Sequence, residues 1–301
     1  SHLHDRRNGA WVDYHSNGNK SFEANYNKGD LTGAASEYYA NGQVSRTTTF
    51  TNGYAKGSYT TYHENGQVAS KGEVSSSEKN GLDHVTREGA WKWYYQDGVL
   101  QWETDYKDGN WHGTSTQYHA NGKKYRQGTF ENGFATGTFK QWHDNGQLEV
   151  EGEVSSGQKN SFDHPVRQGT WKWYFRDGVT SWEINYKNNN WDGTVVQYHS
   201  NGNEYQKGTF SAGHANGELT LHHANGQLYG SGEVSDSQTN SFNRAVYQGD
   251  WTWYHENGNK SWEGAYQDAN WNGQITRYHD NGQKYVEADY ENGIARGTFT
   301  Q

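Results

Sequence analysis

Hydrophobic and polar residues alternate along most of this chain. Phe22, Ala24 and Tyr26 fall at every second position, as do Leu100, Trp102, Thr104 and Tyr106, and Trp182, Ile184 and Tyr186. A period of two puts each set on one face of a β-strand. No segment reads as a helix. Between the alternating segments, Asn-Gly or Asp-Gly recurs once at the same position of each of eleven complete units, beginning at Asn17, Asn41, Asn65, Asp97, Asn121, Asn145, Asp177, Asn201, Asn225, Asn257 and Asn281. Both central residues of a type I′ turn need positive φ, which these residue types tolerate best, so the dipeptide predicts a type I′ hairpin turn at each place. A second turn falls at the unit boundaries, as at Asn27-Lys28-Gly29 and Glu131-Asn132-Gly133. The expected fold is all-β: tandem antiparallel hairpins in an elongated, twisted meander of about 22 strands. Only Pro165 interrupts it.

The hairpins are copies of one another. GAWVDYHSNGNKSFEANY from Gly9 returns as related stretches from Gly89, Gly169 and Gly249, at equal intervals and without insertions. Each block splits again at its glycines. Gly9 and Gly33 open two units of equal length, and Gly57 opens a longer third. This divides the chain into a tail of a partial unit (1–8), blocks 9–88, 89–168 and 169–248, and a shortened block 249–301, all read as one continuous repeat domain. Units with a Gly-x-aromatic start and an aromatic-x-x-Asn-Gly turn resemble MORN repeats, and more specifically bacterial MORN-variant proteins often labelled antitoxin-like. The resemblance covers Gly9 to Gln301. It implies architecture, and with it scaffolding or binding roles that differ from protein to protein.

Composition alters the expected core. Hydrophobic residues are only 30% and mean hydropathy is -1.25, values that alone suggest disorder. Against this, aromatic residues reach 16% and charged residues only 20%. A thin, aromatic core follows. The net charge of -9, with acidic and basic residues interspersed, disfavours both nucleic acid and an anionic membrane as partners. The chain has no Cys and no Met. Disulfides, thiol chemistry and cysteine-ligated metal are thereby excluded. The expected setting is a secreted or cell-surface bacterial protein.

The repeated polar positions are the candidates for chemistry. His15, His63, His119, His143, His199, His223, His255 and His279 all precede a turn, but sister units carry Tyr39, Tyr95 and Phe175 there. A metal ligand is not exchanged for Phe, so these read as aromatic-like strand residues. His84 and His164, each beside an Asp, give way to Asn243-Arg244 in the third block, which weakens a metal reading. Glu73, Glu153 and Glu233, and Glu103, Glu183 and Glu263, recur in register. Catalysis needs one asymmetric pair of environments, so identical rows argue for structure. No nucleophile, phosphate-binding or dinucleotide motif is present. Neither catalytic residue, cofactor nor metal is expected.

The Trp rows suggest a surface for sugar rings, with Trp93, Trp111, Trp173, Trp191, Trp253 and Trp271 as candidates, or else a core. The lengthened third units, from Glu73, Glu153 and Glu233, project polar loops that read as spacers or partner contacts. The chain begins with the tail of a unit and stops within a twelfth. Head-to-tail assembly into a filament is therefore expected, with Leu3 and His4 meeting Phe299 and Gln301 of the next copy. The leading functional expectation is a non-enzymatic structural or interaction protein whose partner is itself or another surface protein. The alternatives are carbohydrate binding and a toxin-neutralising immunity role.

Overall fold

The computed structural model describes residues 7–81 and 85–300. Among these there is no helix, and 24 strands are formed. Two features account for the excess over the expected number. Asn272 divides one strand into Asn270–Trp271 and Gly273–Tyr278, and Ile294–Thr300 adds a strand after the eleventh hairpin. The chain forms two compact units, one of residues 1–146 with 155–165, the other of residues 147–154 with 166–301. In the first, every strand from Gly9–Tyr14 to Phe134–Trp142 pairs antiparallel with the next. In the second, the same holds from Leu148–Val154 to Ile294–Thr300, except that Asn270–Trp271 and Gly273–Tyr278 both pair with Lys260–Gln267.

The turns fall where the sequence places them, but the type I′ geometry expected within the units is not found there. At the eleven Asn-Gly and Asp-Gly turns inside the units only the glycine has positive φ, as at Gly18 (88°) and Gly122 (80°). Gly18 N–H donates to His15 O at 2.9 Å and His15 N–H to Asn19 O at 2.8 Å. This is a three-residue loop: a type I turn followed by a left-handed glycine in a bulge. The type I′ turns lie at the opposite hairpin ends. There Lys28 (52°) and Gly29 (92°), or Asn132 (51°) and Gly133 (87°), both take positive φ. Asn-Gly serves either turn, and it is the number of loop residues that separates them.

Aromatic residues fill the core. Trp91, Trp171 and Trp251 are at most 1% exposed, and Phe50, Phe130 and Phe210 are 2% exposed. In the second block Trp91, Trp93 and Trp102 stack in sequence, with centroids 5.5 and 4.3 Å apart. The Arg87 guanidinium lies 5.0 Å from the Trp91 ring, as Arg167 does from Trp171. Tyr247 takes that place over Trp251, stacked at 4.3 Å. Each of the three buried indoles lies flat on a glycine of the adjacent strand. A Cβ on Gly72, Gly152 or Gly232 would stand 2.2–2.4 Å from the ring. The indole N–H groups donate to Glu73 O, Glu153 O and Glu233 O at 2.9–3.0 Å. Those glutamates are thus docking points through their main chain.

Candidate functional site

The residues with most chemical potential are the repeated His, Asn and Glu. The histidines form rungs between neighbouring hairpins. His15 Nε2 donates to Tyr38 O at 2.8 Å, His63 to Tyr94 O at 2.9 Å, and His119 to Trp142 O at 3.0 Å. Tyr39 and Tyr95 make the same bond with their hydroxyls, to Tyr62 O and Tyr118 O. The shared property is an N–H or O–H at the far edge of a ring. His119→Phe is therefore expected to cost about 1 kcal/mol, the ordinary net value of such a bond, and His119→Tyr much less. Denaturant midpoints of the two variants measure the difference.

The turn asparagines add a second rung. Asn17 Nδ2 donates to Ala40 O at 2.6 Å and Asn121 to Asp144 O at 2.7 Å, each in the following hairpin. Their Oδ1 atoms accept N–H bonds from Asn19 and Lys123 within the turn. Asp97 and Asp177 keep the bond within the turn, but a carboxylate has no donor for the next hairpin.

The glutamates pair with tyrosines and lysines. Tyr118 donates to Glu103 at 2.6 Å, and Tyr278 makes a short bond to Glu263. The Tyr118 bond holds the Glu103 carboxyl below the usual range, and Lys260 followed by Tyr278 does the same to Glu263. Desolvation, then Glu263, pushes Tyr278 up to about 12. These shifts favour a carboxylate that stays ionised, the opposite of a general acid. They also set a pH window. A lowered carboxyl contributes stability above its unfolded value, lost as pH falls through the folded one. A raised tyrosine contributes below its unfolded value of about 10, lost as pH rises through about 12. The stability difference between the parent and Tyr278→Phe should hold from neutral pH to about 10 and then shrink. Thermal melts across that range test it.

The long third units are straps that fold back over their own block. Asn160 has φ 54°, and its N–H donates to Gly133 O at 2.7 Å. Its Oδ1 accepts the Trp111 N–H at 2.8 Å, from two units back along the chain. Asn80 clasps Leu31 and Asn240 clasps Trp191 in the same way, both at 2.8 Å. Each Asn takes the conformation and the main-chain bond of a type I′ turn residue, continuing the ladder of turns. Phe162 then packs edge-on against Phe130 at 5.2 Å, and Phe242 against Phe210 at 5.0 Å. Sequence reading located these loops without seeing the clasp. The recurring Asn was the available signal.

Among the Trp candidates, Trp111, Trp191 and Trp253 are buried at 5%, 7% and 7% exposure, while Trp93, Trp173 and Trp271 are partly exposed. Leu3, His4 and Gln301, the side chain of Phe299, and His84 lie outside the described residues. His164 is exposed on its strap with φ 54°. Among the described residues no group of three or more His, Asp or Glu is placed to hold a metal ion.

Two features mark the third block. One is a groove of about 510 Å³ under the strap, walled by Trp182, Trp191, Tyr205 and Phe242. The other is Asp236–His214–Thr239. His214 Nδ1 lies 2.7 Å from Asp236 and Nε2 lies 3.3 Å from Thr239 Oγ1. The imidazole is 47% exposed and the carboxylate 59%, so water reaches the whole constellation and the triad order has no sheltered site around it.

Hairpins in register, left-handed glycines at eleven unit starts and an aromatic face define a tandem repeat array. The family described as "MORN repeat variant" matches residues 7–28, 31–52, 56–75, 87–108, 111–132, 135–155, 167–188, 247–266 and 271–292, and the chain belongs to it. No curated protein matches in sequence. Among solved structures, the chain is similar to "Crystal Structure of TcdB2-TccC3" at 11% identity and a TM-score of 0.21, covering 95% of this chain and 17% of that one. It is also similar to the Photorhabdus luminescens Tc holotoxin pore, at 14% identity and a TM-score of 0.18, covering 95% of this chain and 14% of that one. The chain thus spans less than a fifth of the length of either. Likeness at these scores carries no argument about fold or function.

Proposed function

We propose that this chain is a non-enzymatic interaction scaffold whose partner is another protein or a second copy of itself. The observation that carries the reading is where the polar side chains go. The recurring His, Asn and Glu side chains are turned to neighbouring hairpins, while a few large rings stay exposed. Tyr54 and Phe134 occupy one register, each opening a strand after a type I′ turn, and stand 41% and 45% exposed. A large ring held open at a fixed place on a rigid ladder suits a protein contact.

Sedimentation velocity over a wide concentration range tests self-association, with Tyr54→Asp/Phe134→Asp as the comparison. Cross-linking in extract from the native source, quantified against the same variant, tests a foreign partner. The reading expects one species, oligomer or complex, that the variant loses while its melt is unchanged. A monomer with no variant-sensitive partner in either experiment overturns it. The groove of the third block favours a second reading, carbohydrate binding.

A further inference from the structure

We infer that the groove beneath the third block's strap binds an uncharged sugar unit of an oligosaccharide. A pyranose presents a face of C–H groups and a rim of hydroxyls, and a site for it needs aromatic faces beside groups that both donate and accept. Trp182 and Phe242 are stacked at 24° with centroids 6.3 Å apart, and Tyr205 beside them is 40% exposed. The rest of the lining comes from Gln197, Gln206, Asn243 and other uncharged residues. Gln206 Nε2 donates to Gln197 Oε1 at 2.6 Å. That bond fixes both amides and engages neither the Gln206 carbonyl nor the Gln197 N–H groups, which remain for a ligand. Among the described residues, no carboxylate, ammonium or guanidinium lines the groove. A sulfated or sialylated ligand would have its charge desolvated there without a partner.

The second block is an internal comparison. Trp102, Trp111, Tyr125 and Phe162 hold the same four aromatic positions one block earlier. There, Arg126 stands for Gln206 and Asp163 for Asn243, and the two charges approach to 3.7 Å across the corresponding place. Arg126 also lies 4.6 Å from the Tyr125 ring and donates to Gln141 at 3.1 Å. A second difference points the same way. Trp102 Nε1 donates to Ser115 Oγ at 2.8 Å. Val195 replaces Ser115 in the third block, so the Trp182 indole N–H loses that acceptor. The change that clears the charges from the groove is accompanied by one that releases a hydrogen-bond donor in its wall.

The proposal stands apart from the scaffold reading, because its site and partner class are different. Its test is a glycan array carrying neutral glucan, mannan, galactan and chitin fragments beside sulfated and sialylated ones, followed by calorimetry with the best neutral binder. One site per chain is expected. Gln206→Arg with Asn243→Asp copies residues this chain already tolerates at the matching place. It should weaken binding at least about tenfold, and Trp182→Phe should do so by about tenfold through loss of the N–H. Arg126→Gln with Asp163→Asn should leave the affinity of the native site unchanged. Melting curves establish that each variant is folded. The inference is overturned if the parent binds no neutral glycan at millimolar concentration, if charged glycans bind better, or if the folded Gln206→Arg/Asn243→Asp variant binds as the parent does.

Discussion

Gly152→Ala is expected to destabilise the protein by about 3 kcal/mol, the upper range for forcing a methyl group into a packed core. Ordinarily the same change in a strand is neutral or mildly stabilising, because alanine restricts the unfolded chain. Gly152 has no left-handed φ to protect, so the sign here comes from contact alone. Its Cβ would stand 2.2 Å from Trp171 Cδ2, and Trp171 is 1% exposed with its N–H engaged by Glu153 O at 3.0 Å. The ring cannot slide without giving up that bond. Trp171→Leu removes the obstacle, and in that background Gly152→Ala should cost less than about 1 kcal/mol. Chemical denaturation of the four proteins of the cycle measures the coupling. Equal costs in both backgrounds would remove the packing argument.

Asn160 carries the second large effect. Asn160→Ala leaves the Trp111 N–H without its acceptor and places alanine in a left-handed conformation. Together these are expected to cost about 3 kcal/mol. Asn160→Gly tolerates the conformation but lacks the acceptor, for about 2 kcal/mol. Asn160→Asp retains the acceptor and should cost less than about 1 kcal/mol. The order Asp, Gly, Ala distinguishes a clasp from a spacer, since an inert loop would rank alanine with glycine near zero. Urea midpoints report the order.

Much of the fold was legible because its determinants are local. Alternation in Trp182, Ile184 and Tyr186 fixes strand and face, and the glycines opening each unit mark bulges with φ between 61° and 103°. The turn type was misread at Asn17-Gly18 because one dipeptide fits two loops. Asn is favoured there for its side-chain bonds to Asn19 and Ala40, with no need of positive φ. The straps and the groove were not legible, because Asn160 reaches Trp111 and Phe242 reaches Trp182 from two units further along the chain, beyond any local pattern. The exchange of Arg126 and Asp163 for Gln206 and Asn243 is visible in the sequence. That the members of each pair face one another is not. The exchange of His for Tyr or Phe before the turns was read as a sign of an aromatic-like strand residue; at the Tyr positions the geometry adds a donor at the same reach, which Phe175 lacks.

The central claim is that the long third units are straps bound to their own hairpins. Amide hydrogen exchange at Trp111 and Trp191 tests it most directly, because the proposed clasps cap those two N–H groups. The account predicts strong protection at both, with Asn160→Ala abolishing it at Trp111 and leaving Trp191 unchanged. Exchange of Trp111 at the rate of an open turn in the parent protein, or equal protection in the variant, would contradict it.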